Sequence, residues 1–202
     1  MCGEGGGRGS PIAQLLSDMT RELRTDRGFS LVELVAVVAV AAVFAAIAIP
    51  QLQDMASALR LGQATRELER ELHSARLKAV ATNRRVRVRV NCPGAGFFRM
   101  VEYLGSVADN AGTRCTNTAY PYPANDTDPL TLPNHDGPVR VLYNGVTVTT
   151  LNFEFRPDGR AWTVDSAGAV TPVPPGGTAL TVTYKTRTKR ITVNALGKIA
   201  IE

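Results

Sequence analysis

Glu33 is the side chain in this sequence that most needs a chemical explanation. It is the one charge among the apolar residues from Leu31 to Ile49, within RGFSLVELVAVVAVAAVFAAIAIP (27–50). A carboxylate at mid-bilayer costs about 2.5–3.5 kcal/mol on insertion scales, and less near an interface. Such a group either lies shallow and reaches the interface, or is neutralised by a partner. No basic side chain lies between Gly28 and Pro50, so a partner has to come from elsewhere. A free α-amino group at a new N-terminus would supply it. The other reactive types are three cysteines (Cys2, Cys92, Cys115) and two histidines (His73, His135), none at C-x-x-C or H-x-x-x-H spacing. His73 falls in a helical pattern and His135 in a loop, each without a partnered nucleophile. There is no G-x-S-x-G, no Walker-type loop and no G-x-G-x-x-G that opens a helix. No catalytic site, cofactor, metal or small-molecule substrate is expected.

The elements around Glu33 decide its role. As a helix, the 21 residues from Phe29 to Ile49 would be about 31 Å long, enough for a hydrocarbon core of about 30 Å. A secretory signal has a shorter apolar region and an A-x-A-like cleavage site. Here Pro50 and the polar QLQDMAS follow instead, so the helix reads as retained. Arg21, Arg24 and Arg27 precede it. They keep the N-terminal side in the cytoplasm and send the rest of the chain across.

RGFSLVEL followed by a long apolar helix resembles the type IV pilin and pseudopilin signature. The resemblance implies that a prepilin peptidase cuts after Gly28 and N-methylates the new first residue, Phe29. It places Glu33 at the fifth mature position, where the carboxylate pairs with the N-terminal amine of a neighbouring subunit. Pro50 matches a helix-kinking proline of such proteins; physically it removes a backbone donor and crowds the preceding turn. Residues 1–28 are then a discarded leader. A start at Met19 would give the ten-residue leader MTRELRTDRG, closer to the family form. Cys2 follows no apolar segment and does not read as a lipid anchor. Cys92 and Cys115 are the cysteines that remain, both on the oxidising side, and are expected to form a disulfide.

Residues 51–83 read as an amphipathic helix. Leu52, Met55, Leu59, Leu68, Leu72, Ala75 and Ala79 form its seam, with Gly62 and Thr65 between. From Arg84 the period becomes two. RRVRVRV sets Arg85, Arg87 and Arg89 against Val86, Val88 and Val90, a strand buried on one face. Further strands are expected at FFRMVEYL, VRVLY, LNFEFR, AWTV, ALTVTY, RITV and KIAI, with turns at CPGAG, YNG, RPDGR, PVPPGG and NALGK. Residues 105–138, rich in Pro, Asn and Asp, read as a long loop. The fold class is α+β: a long N-terminal helix packed on an antiparallel β-sheet or sandwich spanning 84–202.

The C-terminal half narrows the resemblance. LNFEFRPDGRAW and the ending RITVNALGKIAIE resemble the GspH/FimT branch of minor pseudopilins and minor pilins. The matching positions are Phe155, Pro157, Gly159, Gly197 and Lys198. This implies a structural subunit of a type II secretion pseudopilus, at or near its tip, held in the inner membrane with its C-terminal domain in the periplasm. Its partners would be sibling subunits and the prepilin peptidase. The alternative is a FimT-type minor pilin of a type IV pilus that binds DNA during uptake. The net charge of +5 is the same with or without the leader. Nine basic residues against three glutamates lie between Arg60 and Arg89, and YKTRTKR adds Lys185, Arg187, Lys189 and Arg190. Alternation sets Lys185 and Arg187 on one face. A turn expected at Thr186–Lys189 would put Lys189 and Arg190 at the hairpin tip, with Tyr184 as a stacking surface. A basic patch alone is nonspecific, and nucleic acid ranks below sibling subunits as a partner.

Overall fold

The computed structural model describes residues 29–123 and 135–202. The leader, including Gly28 and Cys2, lies outside the described residues. Helix α1, Leu31–Thr82, is followed by ten strands: β1 Val86–Val90, β2 Phe97–Glu102, β3 Arg140–Val141, β4 Val146–Val148, β5 Asn152–Phe155, β6 Ala161–Val164, β7 Val170–Pro172, β8 Thr178–Tyr184, β9 Arg187–Val193 and β10 Ile199–Ile201. The chain divides into two units, 1–50 and 51–202.

In the first unit, every residue from Phe29 to Pro50 is helical or directly precedes the helix, and all are exposed. The helix is long and apolar enough to cross a membrane. Pro50 lies inside it, and its missing N–H leaves the Ala46 carbonyl without the usual helical donor.

In the second unit, the strands form two antiparallel sheets. One has the order β3-β2-β1-β5-β6-β7, the other β10-β9-β8-β4. One core joins them to the helix. Leu61, Leu68, Leu72, Ala75 and Ala79 cluster with Val86, Val88, Phe98, Phe153 and Phe155 of the first sheet and Leu180, Val182, Ile191 and Val193 of the second. Ser57 and Thr65 sit on the same buried face, and their hydroxyls donate to the carbonyls of Gln53 (2.8 Å) and Leu61 (2.7 Å), four residues back.

The helix seam differs from the sequence expectation. Leu52, Met55 and Leu59 are exposed. At about 100° per residue, the nine-residue step from Leu59 to Leu68 is a half-turn about the axis. The first three apolar residues therefore belong to the face opposite the core.

Strand β1 also differs, being buried on both faces. Arg87 is as inaccessible as Val86 and Val88. The valines meet the core, and the arginines are covered by the segment after β2. Strands β4 and β7 fell on stretches not expected to pair. They are three residues each, too short to show a period.

Candidate assembly segment and basic hairpin

Glu33 lies in the first turn of α1, and the Leu34 amide donates to the Ser30 carbonyl at 3.1 Å. The amide-rich start of a helix is electropositive, so an acid there is favourably placed. Phe29, directly before the helix, is 80% exposed. The described part of this segment thus offers one carboxylate at the head of an uncovered apolar rod. The chain supplies no cation within it.

In the second unit, the basic residues of YKTRTKR separate. Tyr184 pairs with Arg187, so the turn is Lys185–Thr186 and not Thr186–Lys189. Lys185 adopts a left-handed φ of 53° there. Lys189 pairs with Val182 and Arg190 with Thr181, which puts both inside β9 rather than at its tip. Alternation places Arg187 and Lys189 on the face of Ile191 and Val193, toward α1, and Arg190 on the other face. Arg187 Nη2 is 3.9 Å from Asp54 Oδ1. The Lys189 ammonium passes 3.9 Å from where a Cβ on Gly62 would stand. Tyr184 is buried and offers no open stacking face. Its hydroxyl accepts from Arg60 Nη1 at 3.2 Å, and its ring meets Tyr143 edge-on at 5.7 Å. The Arg60 guanidinium lies 4.7 Å above the Tyr143 ring, and the Lys185 ammonium lies 5.8 Å from the Tyr184 ring. Arg60, Tyr143, Lys185, Arg187 and Lys189 therefore form one basic and aromatic surface, to which Arg190 does not belong.

Arg99 and Arg114 of the β domain are buried and Arg89 is half-buried, a role that alternation could not reveal. Arg99 donates to four carbonyls of an irregular segment: Gly137 (2.8 Å), Arg114 (3.0 Å), Thr116 (3.1 Å) and Tyr120 (2.8 Å). Arg89 does the same for Asp109, Asn110 and Ala111. Arg114 binds the Glu102 carbonyl (2.8 Å) and Asp136 (3.0 Å). Burial pushes the Asp136 carboxyl above its ordinary pKa, with Arg114 acting against the shift. On α1, burial likewise raises Glu71, opposed by Arg140, whose Nε donates to it at 2.9 Å. The expected disulfide is present: Cys92, just after β1, joins Cys115 in the short 3-10 turn Gly112–Cys115.

Two of the C-terminal motif residues, Gly159 and Gly197, meet at one place. Arg76 of α1 donates to the Gly159 carbonyl (3.1 Å) and to the Leu196 carbonyl (3.1 Å). It thereby ties the turns of RPDGR and NALGK to the helix. Gly197 has φ +73°, and a Cβ there would overlap the Gly159 carbonyl and stand 2.7 Å from Arg76 Nε. The glycine is a packing requirement.

A cavity of about 600 Å³ bounded by Asn83, Arg84, Tyr103, Arg156 and Asp158 contains no nucleophile–base pair. Among the described residues, no group of His, Cys, Asp and Glu is placed to hold a metal.

A membrane-length helix with an acid in its first turn, leading into an antiparallel β domain, defines a type IV pilin-like protein. Two family profiles match: the prokaryotic N-terminal methylation motif over residues 23–49 and the type II transport protein GspH over residues 64–197. The chain belongs to the GspH family of minor pilin and pseudopilin subunits. A search of curated proteins gave no significant match. Among solved structures, the chain is similar to the type IV minor pilin FimU of Pseudomonas aeruginosa, at 14% identity over 70% of this chain and 87% of that one, TM-score 0.43. It is also similar to the minor pseudopilin EpsH from the Type 2 Secretion System of Vibrio cholerae, at 15% identity over 71% and 96%, TM-score 0.39.

Proposed function

We propose that the chain is a minor pseudopilin of a type II secretion system, a structural subunit at or near the tip of the pseudopilus. Residues 1–28 are the leader, cut between Gly28 and Phe29 with N-methylation of Phe29. Residues 29–50 anchor the precursor in the inner membrane, N-terminus cytoplasmic, and later enter the filament core. Residues 51–202 form the periplasmic domain. The observation that carries this reading is Glu33, the one charge in the first turn of a membrane-length helix whose start lies within the matched N-terminal methylation motif. Paired with the Phe29 amine of a neighbour, the carboxylate makes a charge-assisted contact. Without that partner it is a costly charge in an apolar setting. The description of the matched family as a type II transport protein supports the secretion assignment.

The test combines mass spectrometry with Glu33→Ala. The natural chain should begin with methyl-phenylalanine at Phe29. The variant should be cleaved and stable in the membrane but poorly incorporated into filaments, and secretion should fall. An intact leader in cells with active prepilin peptidase overturns the reading. Loss of surface pili with normal secretion reassigns the subunit to a type IV pilus.

A further inference from the structure

The surface formed by Lys185, Arg187, Lys189, Arg60 and Tyr143 is unused by the assembly reading. Among the described residues, the ion pair on this surface is Arg187 with the exposed Asp54, at 3.9 Å, so its four cations outnumber the acid they meet. Lys185 and Arg187 are exposed, and Tyr143 keeps 46% of its surface open beside them. Covalent reach fixes where this surface can work. Asp54, which Arg187 touches, is five residues from Ile49, the end of the apolar run. Even a fully extended chain of that length spans no more than about 18 Å, and the headgroup layer lies immediately outside a hydrocarbon core of about 30 Å. A basic surface with a tyrosine on so short a tether has the composition that binds lipid headgroups. Ammonium and guanidinium groups pair with phosphates, and tyrosine favours the interface.

We propose that the Lys185–Arg187 hairpin tip, with Lys189, Arg60 and Tyr143, contacts anionic phospholipid headgroups of the bilayer in which the chain is anchored. The surface holds the β domain against the membrane before assembly. The proposal rests on the membrane anchoring in the reading above, and on neither Glu33 pairing nor the filament type. Lipid is favoured over nucleic acid because the cations sit within a short tether of the apolar span, while Arg190 is turned to the opposite face. Each cation near an anionic surface strengthens binding roughly fivefold, so a few suffice for a tethered domain.

The experiment uses the full chain in nanodiscs of phosphatidylcholine alone or with one-third phosphatidylglycerol. Lysine acetylation by a water-soluble reagent is read residue by residue by mass spectrometry. In anionic discs at low salt, Lys185 should react at least about fivefold more slowly than in neutral discs. The difference should vanish near 1 M salt, where screening acts within about 3 Å. Lys198, in the distant turn before β10, should react equally in both. Arg187→Gln combined with Lys189→Gln should shrink the Lys185 difference, and Arg190→Gln should leave it intact. Equal Lys185 rates in both discs overturn the proposal. Protection by added duplex DNA in neutral discs, with none from anionic lipid, overturns it in favour of a nucleic-acid surface. A chain that never enters the disc fraction overturns the anchoring and this proposal together. Protected Lys185 in a chain that fails to assemble overturns only the filament reading.

Discussion

Arg87 Nε and Glu154 Oε2 meet at 2.7 Å across the β1–β5 pairing, with the two side chains 2% and 0% exposed. Arg87 also donates to Asn110 Oδ1 at 2.8 Å and covers the Tyr103 ring at 4.1 Å. One guanidinium thus connects two central strands to the segment that closes over them. Removing one member of a buried pair strands the other charge, at a cost of about 3–5 kcal/mol. Glu154→Ala should destabilise the oxidised chain by that amount in urea titrations. Arg87→Met with Glu154→Leu should cost much less than the two single changes summed. Strict additivity would mean that the pair is not coupled.

The Cys92–Cys115 bond closes a separation of 23 residues. A loop of this size is worth roughly 3 kcal/mol in the chain-entropy model. Cys92→Ser with Cys115→Ser should lose about that much and loosen the carbonyls that Arg89 and Arg99 bind. Amide exchange over residues 105–120 should rise several-fold while β8 and β9 stay protected. Thiol labelling of the unreduced, denatured chain should leave Cys92 and Cys115 unmodified.

The two faces of α1 should respond oppositely to substitution. Leu68 is fully buried and Leu59 is 65% exposed. Leu68→Ala should cost about 2–5 kcal/mol through lost burial and a cavity. Leu59→Ser should change stability by about 0.5 kcal/mol or less, yet reduce filament incorporation where that face packs on a neighbour. Pull-down of assembled filaments, beside melting curves, separates the two effects.

Glu71 carries a pH dependence. Burial raises its pKa above the ordinary 4.5 despite Arg140, so the folded state holds its proton to higher pH than the unfolded state does. The stability linked to this group is full below about pH 4.5 and is lost as pH rises through the folded-state value. Glu71→Gln should therefore show a shallower fall in stability than the natural chain as pH rises above about 4.5. Asp136, shifted the same way from 3.8, should account for decline that persists in the variant. Parallel pH profiles would show that Glu71 titrates alike in both states.

Much of the molecule follows from local pattern. The apolar run, its single carboxylate and its basic flank specify a membrane-length helix, because length and charge placement are properties of the chain alone. Period-two alternation and glycine-containing turns place β1, β2, β5, β6, β8, β9 and β10, since a strand's pleat is written in adjacent residues. The cysteine pairing followed from compartment and count once the leader was assigned.

Tertiary structure decided what those side chains face. Arg87 and Arg89 look like a solvent face in sequence, because alternation separates two faces without saying what covers either. Only packing of the segment after β2 makes Arg89 and Arg99 the partners of backbone carbonyls, and only strand pairing brings Arg87 to the Glu154 carboxylate. Leu52, Met55 and Leu59 have the same spacing as the true seam and differ from it by a half-turn, a phase that only contact with the sheets fixes. The hairpin cations show the same limit. A shift of the turn to Lys185–Thr186 moved Lys189 and Arg190 into β9 and onto opposite faces, because in a strand a single-residue change of register exchanges the two sides.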